Sequence, residues 1–168
     1  YKTQLLVCAV KRGEEVIIPN GNFVIQEGDY AYITVSAKGI GTTFKKLNMF
    51  KNKIKSAMII GGGRITYHLA SMLLNDGIDV KIVDRDEEVC KSLSQSLPGA
   101  LILNGDANDQ KFLLSEGVDR VDVLVSLTGM DETNIIVSSF AKTIGVEKVI
   151  TKVSNGHYDT ILNQMGLD

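Results

Sequence analysis

From Ala57 onward, short apolar runs alternate with stretches of helical periodicity, and that alternation leaves very few folds open to the chain. Ala57-Met58-Ile59-Ile60 is apolar throughout, as a strand buried on both faces must be. Arg64 to Asn75 follows as a helix, with Ile65, Leu69, Met72 and Leu73 predicted on its inner face and Gly77 just past its end. Val80-Lys81-Ile82-Val83 is the second strand, and Glu87 to Ser96 the second helix, with Val89, Leu93 and Leu97 in register. Leu101-Ile102-Leu103 is the third strand, followed by a short helix that Asp109 caps and Gly117 ends. Val121 to Val125 is the fourth strand. Its helix is predicted to be capped by Asp131, to turn Ile135, Ile136 and Ile144 inward, and to end at Gly145. Lys148 to Thr151 is the fifth strand, and Ser154 or Asn155 opens a last helix carrying Ile161, Leu162 and Met165. Strands joined through helices require right-handed crossovers. The predicted class is therefore α/β, a Rossmann-type doubly wound parallel sheet preceded by a small β-rich partial subdomain. Such sheets commonly go on to a sixth strand, and the sequence stops where that strand is expected.

The first crossover carries the chemistry. Ile60 leads into Gly61-Gly62-Gly63-Arg64-Ile65-Thr66, a glycine turn between strand and helix. Gly61 permits the tight turn, Gly63 lets a pyrophosphate approach the backbone, and the free N–H groups of the helix start face that anion. Arg64 is either a bidentate phosphate contact or a surface arginine. Thr66 stands where the usual fingerprint has a third glycine, and predicts slightly wider helix–strand packing. Asp84 ends the second strand, 21 positions after Gly63. An acid there can accept from a ribose diol and repels a 2′-phosphate, which favours NAD, ATP or ADP over NADP. Its competing role is to start the next helix, where Asp86 is the better cap. Arg85 could tolerate a phosphate or lie over an adenine. Gly105-Asp106-Ala107 follows the third strand at the sheet's carboxyl end, with Asp106 placed to accept an adenine amino group and Ala107 leaving room for the ring. Thr128-Gly129 borders the same crevice.

The rest of the sequence mostly excludes. Eighteen basic against 20 acidic residues leave a net charge of −2, no footprint for nucleic acid. No apolar run approaches a membrane span. Cys8 and Cys90, His68 and His157 are too scattered for a metal site or a disulfide framework, which fits a reducing cytoplasm. No cysteine or histidine stands near Thr128, where a nicotinamide would lie, so the nucleotide reads as a signal and not a reagent. Ahead of the alternating region, Leu5 to Val10, Val16 to Ile18 and Tyr30 to Val35 are short strands, with a hairpin turn at Lys11 to Glu14. Ala37 to Lys55 holds six lysines and no acid, with Phe44, Leu47 and Phe50 spaced for a short amphipathic turn. It reads as a solvated linker, the alternative being contact with an anionic surface. The chain opens on Tyr1, and is expected to be part of a longer protein.

Taken together, Met58 to Ala70, Asp84, Gly105-Asp106-Ala107 and the run Leu127 to Asn134 resemble the N-terminal nucleotide-binding domain of RCK (also called KTN) proteins, which regulate potassium channels and transporters. The resemblance spans Ala57 to Asp168. It implies that Gly61, Gly63 and Arg64 hold phosphates, Asp84 a ribose, and Asp106 and Ala107 an adenine. Gly62, Ile65, Thr66, Arg85, Gly105, Leu127 and Thr128 complete the candidate cofactor site, and Thr66 departs from the family's glycine. Leu6 to Pro19 and Gln26 to Tyr30 resemble the latter half of the family's C-terminal subdomain. Here that half comes first, an order that arises when the unit occurs twice, as in the peripheral subunits of Trk potassium-uptake systems. The implied organisation is a partial C-terminal subdomain over 1–36, a basic linker over 37–56 and a nucleotide-binding domain over 57–168. The implied function is a non-catalytic regulatory subunit that senses NAD(H), or ATP or ADP, to control potassium transport. It would lie in the cytoplasm at the inner face of the membrane, as a homo-oligomer of at least two copies beside a membrane-embedded potassium-translocating subunit. The alternative is a fragment of an NAD-dependent dehydrogenase whose substrate domain is missing.

Overall fold

The computed structural model describes residues 5–36, 39–47, 54–158, 162 and 165–166. Contacts divide the chain into two units, Tyr1–Lys53 and Ile54–Asp168.

In the first unit, β1 (Leu5–Arg12), β2 (Glu15–Ile17) and β3 (Tyr30–Val35) form an antiparallel sheet in the order β2-β1-β3, followed by the helix α1 (Ile40–Lys46). The hairpin turn is tighter than Lys11 to Glu14. Arg12 still pairs with Glu15, and Gly13 takes a positive φ, of 59°. The unit holds its long connection with charge. Arg12 donates through Nε and Nη2 to the two carboxylate oxygens of Asp29, at 2.8 and 2.7 Å. The guanidinium also lies over the ring of Phe23 and donates to the carbonyl of Val24. This fork holds the Asp29 carboxyl down at about 2. Of the predicted helical stripe, Phe44 is half-buried and Leu47 exposed; Phe50 lies outside the described residues.

The second unit contains β4 (Ser56–Ile60), α2 (Arg64–Asn75), β5 (Asp79–Asp84), α3 (Glu87–Ser96), β6 (Leu101–Asn104), α4 (Gln110–Ser115), β7 (Val123–Ser126), α5 (Asp131–Thr143) and β8 (Lys148–Thr151). All pairings are parallel, in the order β6-β5-β4-β7-β8. The order reverses between β4 and β7, which opens a crevice at the carboxyl ends of those strands. Successive side chains of β4 feed opposite faces. Met58 and Ile60 join Leu124, Val137 and Ala141 in one core; Ala57 and Ile59 join Ile82, Val125 and Ala70 in the other. Each fully buried large aliphatic, such as Ile59 or Leu124, contributes about 1.5–3 kcal/mol. Among the described residues no helix is long and apolar enough to cross a membrane.

Two helical faces differ from the sequence expectation. α2 buries Thr66 and Ala70, with Leu69 and Leu73 packed beside them, while Ile65 and Met72 are 58% and 66% exposed. α5 turns Asn134, Val137, Ser138 and Ala141 inward and leaves Ile136 exposed. On both faces small or polar side chains share the inward positions with Leu69, Leu73 and Val137. Asp131 lies in the first turn of α5 and does not cap it; Met130 occupies the cap position. After β8, among the described residues, come a 3-10 turn, Gly156–Tyr158, and helical positions at Leu162 and Met165. Ile161 lies outside the described residues, while Leu162 is half-buried against the core.

At the opposite, amino ends of the central strands, one carboxylate ties β4 to β7. Asp122 Oδ2 accepts from the backbone N–H groups of Lys55 and Ser56, at 2.7 and 2.9 Å, and from the Ser56 hydroxyl at 3.2 Å. These bonds, the one from Lys55 foremost, hold the Asp122 carboxyl below its ordinary 3.8. A depressed folded-state value stabilises above the unfolded one and ceases to do so as the pH falls through the folded one. Asp122→Asn is therefore expected to lower the urea midpoint at pH 7, with the gap to the parent closing below about pH 4. Paired urea titrations at pH 7 and pH 3 measure this; an equal gap at both would place the stabilisation elsewhere.

Candidate functional site

The three glycines after β4 have three different reasons. Gly61 takes φ +96°, and an added Cβ would come within 3.0 Å of the Thr128 backbone. Gly62 faces α3, where a Cβ would meet Val89 at 2.5 Å and Leu93 at 2.8 Å. Gly63 is extended backbone that any residue adopts (φ −71°, ψ −178°), and a Cβ there would have nothing within 4 Å. Neither backbone nor packing requires glycine at 63. Its one consequence is an open surface at the start of α2. Gly63 is also the N-cap of α2, so no side-chain oxygen covers the first-turn N–H groups. α3 and α4 begin differently. Asp86 accepts from Glu88 N and Val89 N, and Asp109 from Lys111 N and Phe112 N. An uncapped helix start carries partial positive charge and unpaired donors, a natural place for an anion.

Thr66 is fully buried, and its hydroxyl donates to the carbonyl of Gly61. It ties the helix to the turn, a role the sequence reading did not give it. Arg64 and Ile65 are exposed on α2; with Thr66 beneath the turn, these three do not line the cavity described next.

That cavity, of about 490 Å³, opens at the carboxyl ends of the strands, within the range of about 300–1,000 Å³ usual for small-ligand sites. Gly61 to Gly63, Asp84, Arg85, Gly105 to Ala107, Leu127 and Thr128 all border it, so the structure brings ten of the thirteen candidates together. Asp84 Oδ2 accepts from Gly62 N at 2.5 Å, and its Oδ1 from Asp86 N at 2.8 Å. The two acids thus divide their tasks. Asp86 caps α3, and Asp84 presents a carboxylate to the cavity while bracing the glycine turn. Arg85 is exposed at the rim. Gly105 is needed because the Phe112 ring presses on it, 2.4 Å from where a Cβ would be. Asp106 Oδ1 accepts from the backbone and side chain of Asn108. Ala107 is buried, one of the few core residues that also reach the cavity.

The opposite wall, Leu127 to Met130, rests on a residue the sequence reading did not select. Asn134 is completely buried. Its Oδ1 accepts from Ser126 Oγ at 2.9 Å, from Thr128 N at 2.9 Å and from Thr128 Oγ1 at 2.7 Å. Its Nδ2 donates to the carbonyls of Thr128 and Lys152. The available signal was the spacing of Asn134 with Val137, Ser138 and Ala141, which the two isoleucines before Val137 obscured. Met130 and Thr133 also reach the cavity without having been foreseen. Its titratable lining consists of Asp84, Arg85, Asp86 and Asp106, while His68 and His157 are exposed elsewhere. The carboxylates among them can accept hydrogen bonds from hydroxyl groups. Among the described residues no three potential metal ligands gather.

Residues 57–168 match the TrkA-N domain family, and residues 1–48 the TrkA-C domain family. Over 152 residues, 90% of this chain, the sequence is 33% identical to the Trk system potassium uptake protein TrkA of Vibrio alginolyticus, covering 33% of that protein. The chain spans about a third of the length of the curated relatives it matches. The crystal structure of the GsuK RCK domain is similar over 99% of this chain and 35% of its own, with TM-score 0.68 and 20% identity. The GsuK channel bound to NAD is similar over 99% of this chain and 29% of its own, with TM-score 0.66 and 20% identity. At that identity the likeness is one of fold.

The Asn134 network generates a stability prediction. Asn134→Leu keeps the γ-branched shape but leaves Ser126 Oγ and Thr128 N without their acceptor, at about 1–3 kcal/mol for a buried unsatisfied group. Urea unfolding is expected to register a loss in that range or somewhat above. A loss below about 0.5 kcal/mol would mean that water or another acceptor replaces Asn134.

Proposed function

The chain belongs to the TrkA-N domain family, with a TrkA-C match ahead of that domain, and on that premise we propose that it is the nucleotide-sensing part of a regulatory subunit of a potassium transporter. The ligand is NAD(H) or another adenine nucleotide, with ATP and ADP the alternatives. The observation that carries this reading is Gly63, the glycine whose missing side chain serves neither backbone nor core, at the uncapped start of α2 and on the cavity wall. A pyrophosphate fits there, with its negative charge at the positive end of the helix. Asp84 then lies where a ribose diol would be received, and Gly105 to Ala107 where an adenine would rest. Arg64 serves phosphate from outside the cavity. The cavity's lack of a histidine, cysteine or lysine favours a signal over a reagent.

Regulation requires that the nucleotide bind two states of the protein with different affinity. In this reading the second party is a membrane-embedded potassium-translocating subunit, against whose cytoplasmic face the regulator sits as a homo-oligomer of at least two copies. The names of the relatives, Trk system potassium uptake protein TrkA, support that assignment. So does the RCK fold, seen in a channel bound to NAD. Residues 1–36 are read as the end of one C-terminal subdomain, 37–56 as a basic linker and 57–168 as the nucleotide domain of the following unit.

Calorimetric titration with NADH, NAD, NADP, ATP and ADP tests the reading. At least one adenine nucleotide is expected to bind, and NADP more weakly than NAD. Gly63→Val is expected to abolish binding while leaving the fold largely intact by circular dichroism, because a β-branched side chain fills the phosphate's place. Asp84→Ala is expected to weaken binding by about 1.5–3 kcal/mol, roughly 10- to 150-fold, the range for hydrogen bonds to a charged group. Unchanged affinity in folded Gly63→Val would remove the glycine turn from the site, and a preference for NADP would remove Asp84 from the ribose.

A further inference from the structure

One wall of the cavity and the chain that leaves β8 are held by the same seven consecutive residues, Thr128 to Asn134. Thr128 lines the cavity, and its carbonyl accepts from Asn134 Nδ2 and from Lys152 Nζ, each at 3.2 Å. Asn134 Nδ2 also donates to the Lys152 carbonyl at 2.9 Å, and Lys152 N to the carbonyl of Ser126 at 2.9 Å. One turn nearer the start of α5, Asp131 Oδ2 accepts from Ser154 N and Asn155 N, both at 3.0 Å. Next to it, Glu132 Oε1 accepts from Tyr158 Oη at 3.0 Å. The hydrogen bonds by which Ser154, Asn155 and Tyr158 reach the rest of the domain thus end on Asp131 and Glu132, the two residues that follow the cavity wall.

From this arrangement we propose that occupancy of the cavity is passed to residues 152–158, and that this segment is where the nucleotide site reports its state to the chain beyond. The proposal rests on the nucleotide reading above and adds its route of regulation. The route is short and polar. A ligand that moves Thr128 moves the one carbonyl that accepts from both Asn134 and Lys152, and buried Asn134 has no solvent to replace its bond. Asn134 and Asp131 stand on the same first turns of a 13-residue helix, so a shift at one is a shift at the other. Asp131 does not line the cavity and does not cap its helix. Its carboxylate serves the outgoing segment alone among the bonds described.

Amide hydrogen exchange, followed by NMR with and without NADH, is the test. In the parent chain, saturating NADH is expected to change exchange at Ser154 and Asn155 by a factor within the coupling range of about 5- to 150-fold. In Asp131→Ala the same titration is expected to show NADH still binding while exchange at those two amides no longer responds. Tyr158→Phe, which removes only the bond to Glu132, guards against a misfolded Asp131→Ala and is expected to weaken the response without removing binding. A parent that binds NADH with unchanged exchange at 152–158 would overturn the relay and leave the nucleotide site standing. So would an Asp131→Ala protein that responds like the parent. Failure of NADH, NAD, ATP and ADP alike to bind would overturn both.

Discussion

The second unit depends on one close approach of backbone to backbone. Gly61 comes against Thr128 so nearly that a methyl group between them would be 3.0 Å from the Thr128 chain. Around that contact, Gly61 N donates to the Val83 carbonyl and Leu127 N to the Ile60 carbonyl, both at 2.8 Å. Three strand ends, β5, β4 and β7, are thereby fixed at one point. Because the strand order reverses there, two of the loops leaving those ends turn to opposite faces of the sheet and the crevice lies between them. The glycine is needed twice over, for its φ and for its lack of a side chain.

Polar groups then finish what the apolar sheet begins, one set at each end. Asp122 gathers the amino ends of β4 and β7, and Asn134 gathers the carboxyl ends of β7 and β8. Between them the buried positions of the strands are mostly Ile, Val, Leu and Met, which meet their neighbours through shape. Hydrogen bonds that must be made, because their partners are buried, supply the register that hydrophobic burial leaves loose. The same division holds in the first unit, where the Arg12–Asp29 fork arranges a connection too polar to pack itself.

This division also explains what could be read from the sequence. Parallel strands covered on both sides must be apolar throughout, so Ala57 to Ile60 and Val80 to Val83 stood out, and with them the fold class. Asp86 and Asp109 stood out as caps because capping is local chemistry between residues two or three apart. The inner faces of α2 and α5 did not stand out, since apolar residues occur around each helix and periodicity favoured Ile65, Met72 and Ile136 over Thr66, Ala70 and Asn134. Three buried residues with polar side chains, Thr66, Ser126 and Asn134, look in sequence like surface. Their partners lie five to eight positions away or on another strand, at distances that only the assembled crossover brings together. The cavity's glycines and Asp84 were legible because their motif is contiguous with a strand. Met130 and Thr133 were not, because their place on the wall follows from the pitch of α5.

The bare start of α2 has a consequence for the empty protein. A helix capped by its own side chain is complete in any solvent, whereas one that begins on glycine is completed by whatever anion the solution offers. On the proposed nucleotide reading, phosphate, sulfate or a carboxylate buffer at high concentration would compete for the same few N–H groups, and each would stabilise the folded chain with the logarithm of its concentration once it exceeds the dissociation constant. On that reading the resting condition of this unit is a property of the medium as much as of the sequence.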